Sequence, residues 1–221
     1  MRLLAIDTAT EMCSCALLNG EHISSETKIT PRGHTDHILP MADKLLNEAN
    51  IKPTDLDALV FGQGPGSFTG LRIACGVAQG IAFAAELPVI AISNLATIAQ
   101  TAHRLHGVER ALVAWDARMN QVYWGCYQIE NGQMQLLGKE QVISPANIDF
   151  PDDNDWVAVG NGWQQYADEF KQTPKKVLPD LYPLTQDMLH LALSKWQQGQ
   201  TQTAAECRPV YLRNQVVQKR K

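Results

Sequence analysis

The residues best placed to do chemistry in this chain lie in Gly62-Gln63-Gly64-Pro65-Gly66-Ser67-Phe68-Thr69-Gly70-Leu71-Arg72. Five glycines fall between Gly62 and Gly76, after the short apolar run Ala58-Leu59-Val60-Phe61 and before a long helical pattern. A strand, a glycine-rich turn and a helix N-terminus make an anion-binding geometry, because bare backbone N–H groups converge there and the helix dipole adds positive potential. The same segment opens an unusually apolar helix. Two roles therefore compete for it: a phosphate cradle, or a surface for another protein.

Other reactive side chains are sparse. His103 and His106 sit three apart, as do His34 and His37 beside Asp36. Two imidazoles without a nearby carboxylate make a poor metal site, so the first pair reads as a solvated helix end. The second reads as polar residues at the start of a helix, and no metal is expected. There is no H-E-x-x-H and no G-x-S-x-G, so peptidase chemistry has no support. Ser67 has no evident base and is expected to be an N-cap. The five cysteines (Cys13, Cys15, Cys75, Cys126, Cys207) form no CxxC pair, which fits free thiols in a reducing compartment.

The composition is that of a globular chain, with 45% hydrophobic and 19% charged residues. A net charge of −4 provides no global field for nucleic acid. The only basic cluster, from Arg213 to Lys221, reads as a solvated, frayed tail. The N-terminal stretch is too short and too soon charged for a signal peptide. The longest weakly polar run, residues 73–85, falls short of the roughly 20 residues a membrane helix needs. A cytoplasmic protein without membrane contact is expected.

Positioning these residues requires an α/β fold. Strands are expected at residues 3–6, ending at Asp7, at 13–18 and at 22–27, with Asn19-Gly20 as a type I′ hairpin turn. A helix should follow, capped by Thr35 or Asp36, with Pro40 in its first turn and Ile38, Ala42, Leu45 and Ala49 on one face. A strand at 58–61, a helix from Thr69 to about Glu86, a strand at 89–92 and a helix over 95–105 complete the first half. The second half repeats this opening. Residues 111–116 end in Asp116, residues 121–129 form a strand, Asn131-Gly132 is a hairpin signal and residues 134–142 return. Val159-Gly160-Asn161-Gly162 echoes Phe61-Gly62-Gln63-Gly64, and a last helix spans 185–198. Strand, hairpin, third strand, helix, strand-Gly-x-Gly, helix thus occurs twice, which predicts two similar α/β lobes.

Two lobes built from a duplicated βββαβα unit resemble the two-lobe actin-like (ASKHA, ribonuclease-H-like) fold. Four segments sharpen this: Ile6-Asp7-Thr8-Ala9-Thr10, Gly64 to Arg72, Asp116-Ala117-Arg118-Met119 with Val122-Tyr123, and Pro209-Val210-Tyr211-Leu212-Arg213. Together they resemble the bacterial TsaB family (older name YeaZ) along the whole chain. The resemblance implies a role in adding a threonylcarbamoyl group to adenosine 37 of tRNAs that read codons beginning with A. It also implies a non-catalytic scaffold that dimerises with its paralogue TsaD, joins the ATPase TsaE in a ternary complex, and pairs with itself when alone. Residues 1–106 would form the lobe carrying the partner-binding helices. Residues 107–221 would form a smaller lobe whose tail packs back on the first.

The fold group places Asp-ended hairpins around a nucleotide cleft, so Asp7, Thr8, Thr10, Gly64, Gly66, Ser67, Asp116 and Arg118 are the candidate nucleotide or anion contacts. Asp7 and Asp116 could face each other and hold a hydrated Mg²⁺, or each could cap a strand end and bond nearby turn amides. Ala9 stands where such lobes carry glycine, which restricts phosphate approach. The two metal-binding histidines of TsaD have no counterpart after residues 89–92, and Gln121 stands where the family pattern has glutamate. No catalytic residue is therefore expected. No cofactor is expected of this chain itself, with ATP or ADP and Mg only at the assembled complex, and tRNA touching it only indirectly or weakly. An ATPase or small-molecule kinase with its own cleft is the alternative.

The long helix reads as an interaction element. Between Arg72 and Glu86 it carries no formal charge, and small residues recur at Gly70, Ala74, Ala78 and Ala82 and at Gly76, Gly80 and Ala84. A helix apolar on nearly every side must be covered on nearly every side, and small residues at every fourth position let helices approach closely. The expected partner interface is Ile38, Leu39, Ala42, Leu45 and Leu46 of the first helix with Leu71, Ala74, Val77, Ala78 and Ile81 of the long one.

Overall fold

The computed structural model describes residues 1–151 and 155–213. Strands β1 (Arg2–Asp7), β2 (Met12–Asn19), β3 (His22–Ile29), β4 (Ala58–Gly64) and β5 (Val89–Ser93) form one sheet. Strands β6 (Arg110–Asp116), β7 (Val122–Glu130), β8 (Gln133–Ile143), β9 (Val157–Val159) and β10 (Val177–Leu178) form the other. Their orders are β3-β2-β1-β4-β5 and β8-β7-β6-β9-β10. In each sheet an antiparallel three-strand meander runs into two parallel strands. The chain is a two-lobe actin-like α/β protein, and Asp7 and Asp116 end the equivalent central strands.

Helices α1 (His34–Glu48), α2 (Phe68–Ala84), α3 (Asn94–His106), α4 (Gly162–Gln165) and α5 (Thr185–Gln197) cover these sheets. Side-chain alternation along the strands decides which residue faces which helix. Leu4, Ile6, Leu17 and Phe61 pack with Ile38 and Leu45 of α1 and Ala78 and Ala82 of α2. On the opposite face, Leu3, Ala5, Val60 and Ile90 pack with Met188, Leu189 and Ala192 of α5. Helix α3, which follows the first sheet in sequence, packs its Leu95, Ile98 and Ala102 on Val113 and Tyr127 of the second. The other face of that sheet is covered by Ile148, Trp156, Trp163, Tyr166 and Phe170. Between α3 and α5, Asp187 accepts from Thr101 Oγ1 (2.8 Å) and from Arg104 Nε and Nη2 (2.6 and 2.9 Å).

Several local expectations change. The first hairpin loop is Gly20-Glu21, since Asn19 still pairs with His22, and of these only Gly20 has a positive φ, 66°. That is the φ pattern of a type II′ turn, with glycine first. Asn131 and Gly132, at φ 50° and 79°, do form the mirror-image pair expected of type I′. Helix α1 begins at His34 with Gly33 as N-cap, so Pro40 lies inside the helix rather than in its first turn. Among the described residues no α-helix joins β8 to β9. The described part of that link holds a 3-10 turn at Pro145–Asn147, and the prolines at 145 and 151 disfavour a helix between them.

Ser67 caps α2, its Oγ accepting from the Gly70 amide at 3.3 Å. The glycine turn and the first turn of α2 sit directly on the β1–β2 connection. The Thr8 hydroxyl donates to Gly70 O at 2.7 Å, and the Ser67 amide donates to Ala9 O at 2.7 Å. A Cβ on Gly70 would stand 1.9 Å from Thr8 O, and one on Gly62 would stand 2.0 Å from Asp7 Oδ1. The first obstacle is backbone, and the second is a buried side-chain end held by Asn94. Gly70→Ala is therefore expected to cost about 3 kcal/mol in urea unfolding, at the upper end for overpacking. A loss below 0.5 kcal/mol, about the size of an ordinary surface effect, would show that the two turns are not in hard contact.

Candidate functional site

Between the lobes lies a cleft of about 670 Å³, bounded by the β1–β2 turn, the glycine turn, the β6–β7 turn and the segment around Tyr211. Of the expected anion contacts, Thr10, Gly66, Ser67, Asp116 and Arg118 line it. Asp7, Thr8 and Gly64 do not; they are buried beneath it.

Asp7 decides what the cleft can do. Its side chain is 0% exposed, and Oδ1 accepts from Asn94 Nδ2 at 2.8 Å while Oδ2 lies 3.4 Å from the Ala9 amide. Burial pushes its pKa up to about 7 against the opposing pull of Asn94 and the turn amides. The carboxamide oxygen of Asn94, Oδ1, accepts from the Gly64 amide at 2.8 Å. The amides of Gly64, Ser67 and Gly70 are thus all occupied by protein acceptors. An anion-binding turn needs those N–H groups free.

Asp116 is differently placed. Its Oδ1 accepts from Tyr166 OH and from the Arg118 amide, both at 2.7 Å, and Oδ2 pairs with Arg118 Nη1 at 3.2 Å. Its own amide donates to Asn161 Oδ1 at 2.8 Å. Both aspartates therefore bond turn amides at strand ends. They do not open into one cavity, and a hydrated Mg²⁺ held between them does not fit these residues.

Arg213 is anchored, not frayed: its Nη2 donates to Gln121 Oε1 at 2.7 Å and to Arg118 O at 3.2 Å. The preceding segment is tied to the first lobe, where the Val210 amide donates to Gln63 O at 2.7 Å and Tyr211 OH accepts from Arg72 Nε at 3.2 Å. Residues 207–213 therefore strap the glycine turn to the β6–β7 turn; residues 214–221 lie outside the described residues. His34 Nε2 meets Thr10 O at 2.8 Å, and His103 Nδ1 meets Val108 O at 3.0 Å. Among the described residues no three His, Cys, Asp or Glu side chains gather to hold a metal. No helix of the described residues is long and apolar enough to cross a membrane.

The helix residues expected at a partner interface divide by burial. Ile38, Ala42, Leu45, Leu46, Leu71, Ala74 and Ala78 are buried in the chain's own core and present nothing to a partner. Val77 and Ile81 are half-buried, and Leu39 is 51% exposed. The outward side of α2 is instead Arg72, Gly76, Gly80, Ala84 and Phe83, the last 82% exposed. Helical spacing finds the ridges but not which ridge the sheet takes. Asn94 was also not marked by the sequence; its only signal is an amide directly after a strand and at the start of a helix.

Comparison with known proteins agrees with the fold. The family model described as TsaD, tRNA N6-adenosine threonylcarbamoyltransferase, matches residues 20–214. The Escherichia coli K12 protein named tRNA threonylcarbamoyladenosine biosynthesis protein TsaB is 45% identical over 100% of this chain and 98% of its own length. The chain belongs to the TsaB family. Its Haemophilus influenzae relative of the same name is 41% identical over 100% of this chain and 97% of that one. The solved structure of YeaZ from Pseudomonas aeruginosa superposes with a TM-score of 0.93 at 46% identity, covering 96% of this chain and 99% of that one. Another Pseudomonas aeruginosa structure, equally similar, is described as resembling the peptidase YeaZ. In this TsaB-family chain the serine of the glycine block is a helix cap.

The sealed Asp7 gives a pH signature. Its folded pKa lies above its ordinary value of 3.8, so its contribution is complete below that value and is lost as pH rises through about 7. Between about pH 5 and about pH 8 the unfolding free energy should fall by about 2–3 kcal/mol relative to Asp7→Asn. Parallel urea titrations of the two proteins check this; identical pH profiles would mean that Asp7 is not sealed.

Proposed function

We propose that this TsaB-family chain serves tRNA threonylcarbamoyladenosine biosynthesis as a non-catalytic subunit, pairing with TsaD for the modification of adenosine 37 in tRNAs that read codons beginning with A. One observation carries the reading: the outer side of α2 is uncharged beyond Arg72, open and shaped for another helix. Phe83 is 82% exposed, and a Cβ placed on Gly76 or Gly80 would meet nothing within 4 Å. Each of these glycines costs roughly 0.5–1 kcal/mol of helix stability relative to alanine, and nothing among the described residues requires either. Close approach by an external helix supplies the requirement.

The occupied amides and the sealed Asp7 support the non-catalytic half of the proposal. TsaE would join the pair, nucleotide would enter at the assembled complex, and the same α2 face would serve a homodimer when TsaD is absent. The setting is the cytoplasm, where the tRNA substrate is found.

Light-scattering mass of an equimolar mixture with TsaD tests the pairing. Ala78 is fully buried, so a charge there would unfold the chain, and Phe83→Asp is the informative change. It should weaken the complex by at least about tenfold, or 1.4 kcal/mol, with an unaltered circular dichroism spectrum of the chain alone. The pair Gly76→Ala, Gly80→Ala should stabilise the isolated chain by about 1–2 kcal/mol and still weaken the complex. An unchanged complex in both variants would remove α2 from the interface.

A further inference from the structure

A second crevice, of about 620 Å³, lies between the β7–β8 hairpin, the start of α3 and α5. Three charged side chains line it, of which Glu130 is exposed and Glu140 and Lys195 are half-buried. Glu140 on β8 accepts from the hydroxyls of Ser93 and Tyr127, both at Oε1. Its Oε2 has no hydrogen-bond donor among the described residues. Lys195 on α5 donates to Ala91 O at 2.8 Å. That bond uses one of the three donors of the ammonium.

Lys195 and Glu140 are each half-buried, and both face the crevice. Burial pulls the Lys195 ammonium below its ordinary pKa, while the charge of Glu140 works the other way. No ion pair joins Lys195 to a carboxylate among the described residues. A partly desolvated cation and anion that sense each other across a gap are costly unless something polar fills it. Ile92, Ala96 and Leu191 supply an apolar stretch of the lining, which otherwise carries polar side chains such as Gln63, Gln133 and Gln200.

The guest that satisfies both groups must accept from Lys195 and donate to Glu140. We propose that this crevice binds a free α-amino acid as its zwitterion, with the carboxylate on Lys195 Nζ, the ammonium on Glu140 Oε2 and the side chain against Ile92 and Leu191. A ligand carrying one charge only would leave the other protein charge unmatched. The site lies outside the interlobe cleft and away from the outer face of α2, so it stands whether or not the pairing with TsaD does.

Amide-resolved NMR titration of the full chain with L-alanine, propionate and ethylamine tests this, since each of the last two is the alanine skeleton lacking one charge. Alanine should give saturable shifts confined to residues around 91–96, 130–140 and 191–200, with propionate and ethylamine each at least about tenfold weaker, the equivalent of one charge-assisted hydrogen bond. Lys195→Met keeps the aliphatic stem, and Glu140→Gln keeps an acceptor for Ser93 and Tyr127. Each should lower alanine affinity at least about tenfold with the rest of the spectrum unmoved. Absence of saturable alanine shifts would overturn the proposal. So would equal binding of propionate, which would mark a plain anion site, or unchanged alanine binding in both variants.

Discussion

The contact between the glycine turn and the β1–β2 connection is the constraint on which the rest of the first lobe depends. Gly62 lies against the Asp7 carboxylate, Gly70 lies against Thr8 O, and Asn94 ties Asp7 to the Gly64 amide. Backbone this close keeps the Gly64, Ser67 and Gly70 amides on protein acceptors, so those donors do not face a phosphate. The glycines that suggest an anion cradle are the ones that close it. By the same contact the N-terminus of α2 is held at a set height over the sheet, with Ala74, Ala78 and Ala82 turned inward and Gly76, Gly80 and Phe83 turned outward. One packing event thus occupies three amides of the turn and sets which side of the helix behind it faces outward.

The second lobe shares the strand order without sharing the environment. Asp116 ends the strand equivalent to that of Asp7, yet it is partly exposed and bonded by Tyr166 and Arg118. Three consecutive residues, Arg118, Met119 and Asn120, hold φ near +60° in the turn beyond it. Non-glycine residues seldom adopt that region even singly, and Arg213 braces the turn by bonding Arg118 O and Gln121. The strap and the α3–α5 contact through Asp187 both cross from one sheet's territory to the other's. The lobes are duplicated in topology and joined by side chains that have no counterpart in the repeat.

How far this was legible in the sequence follows from the physics of each signal. Short continuous apolar runs ending in aspartate mark the paired central strands, because burial on both faces leaves few polar residues to confuse the reading. Asn131-Gly132 was readable as a mirror-image turn, whereas Asn19-Gly20 misplaced its hairpin by one residue, since strand pairing through Asn19 outweighs the dipeptide preference. Pro40 was assigned to a first turn because capping preference favoured Thr35 or Asp36, while the chain starts its helix from Gly33. The interface residues were chosen for apolar spacing, and most proved to be the ridge that the sheet takes. The residues left outside, Gly76, Gly80 and Phe83, are the ones a single-chain hydrophobic count discounts. Asn94 and the anchoring of Arg213 act through partners far away in sequence, which no local pattern records.

The central claim is that the cleft chemistry is closed and that the chain works through its α2 surface. Steady-state ATP hydrolysis by the isolated chain, with Mg²⁺ present and at pH values below and above the Asp7 transition, tests it most directly. Phosphate release at the protein-free rate at both pH values, with turnover appearing only when TsaD and TsaE are added, is the expected result. Sustained hydrolysis by the chain alone that is abolished by Asp7→Asn would contradict it.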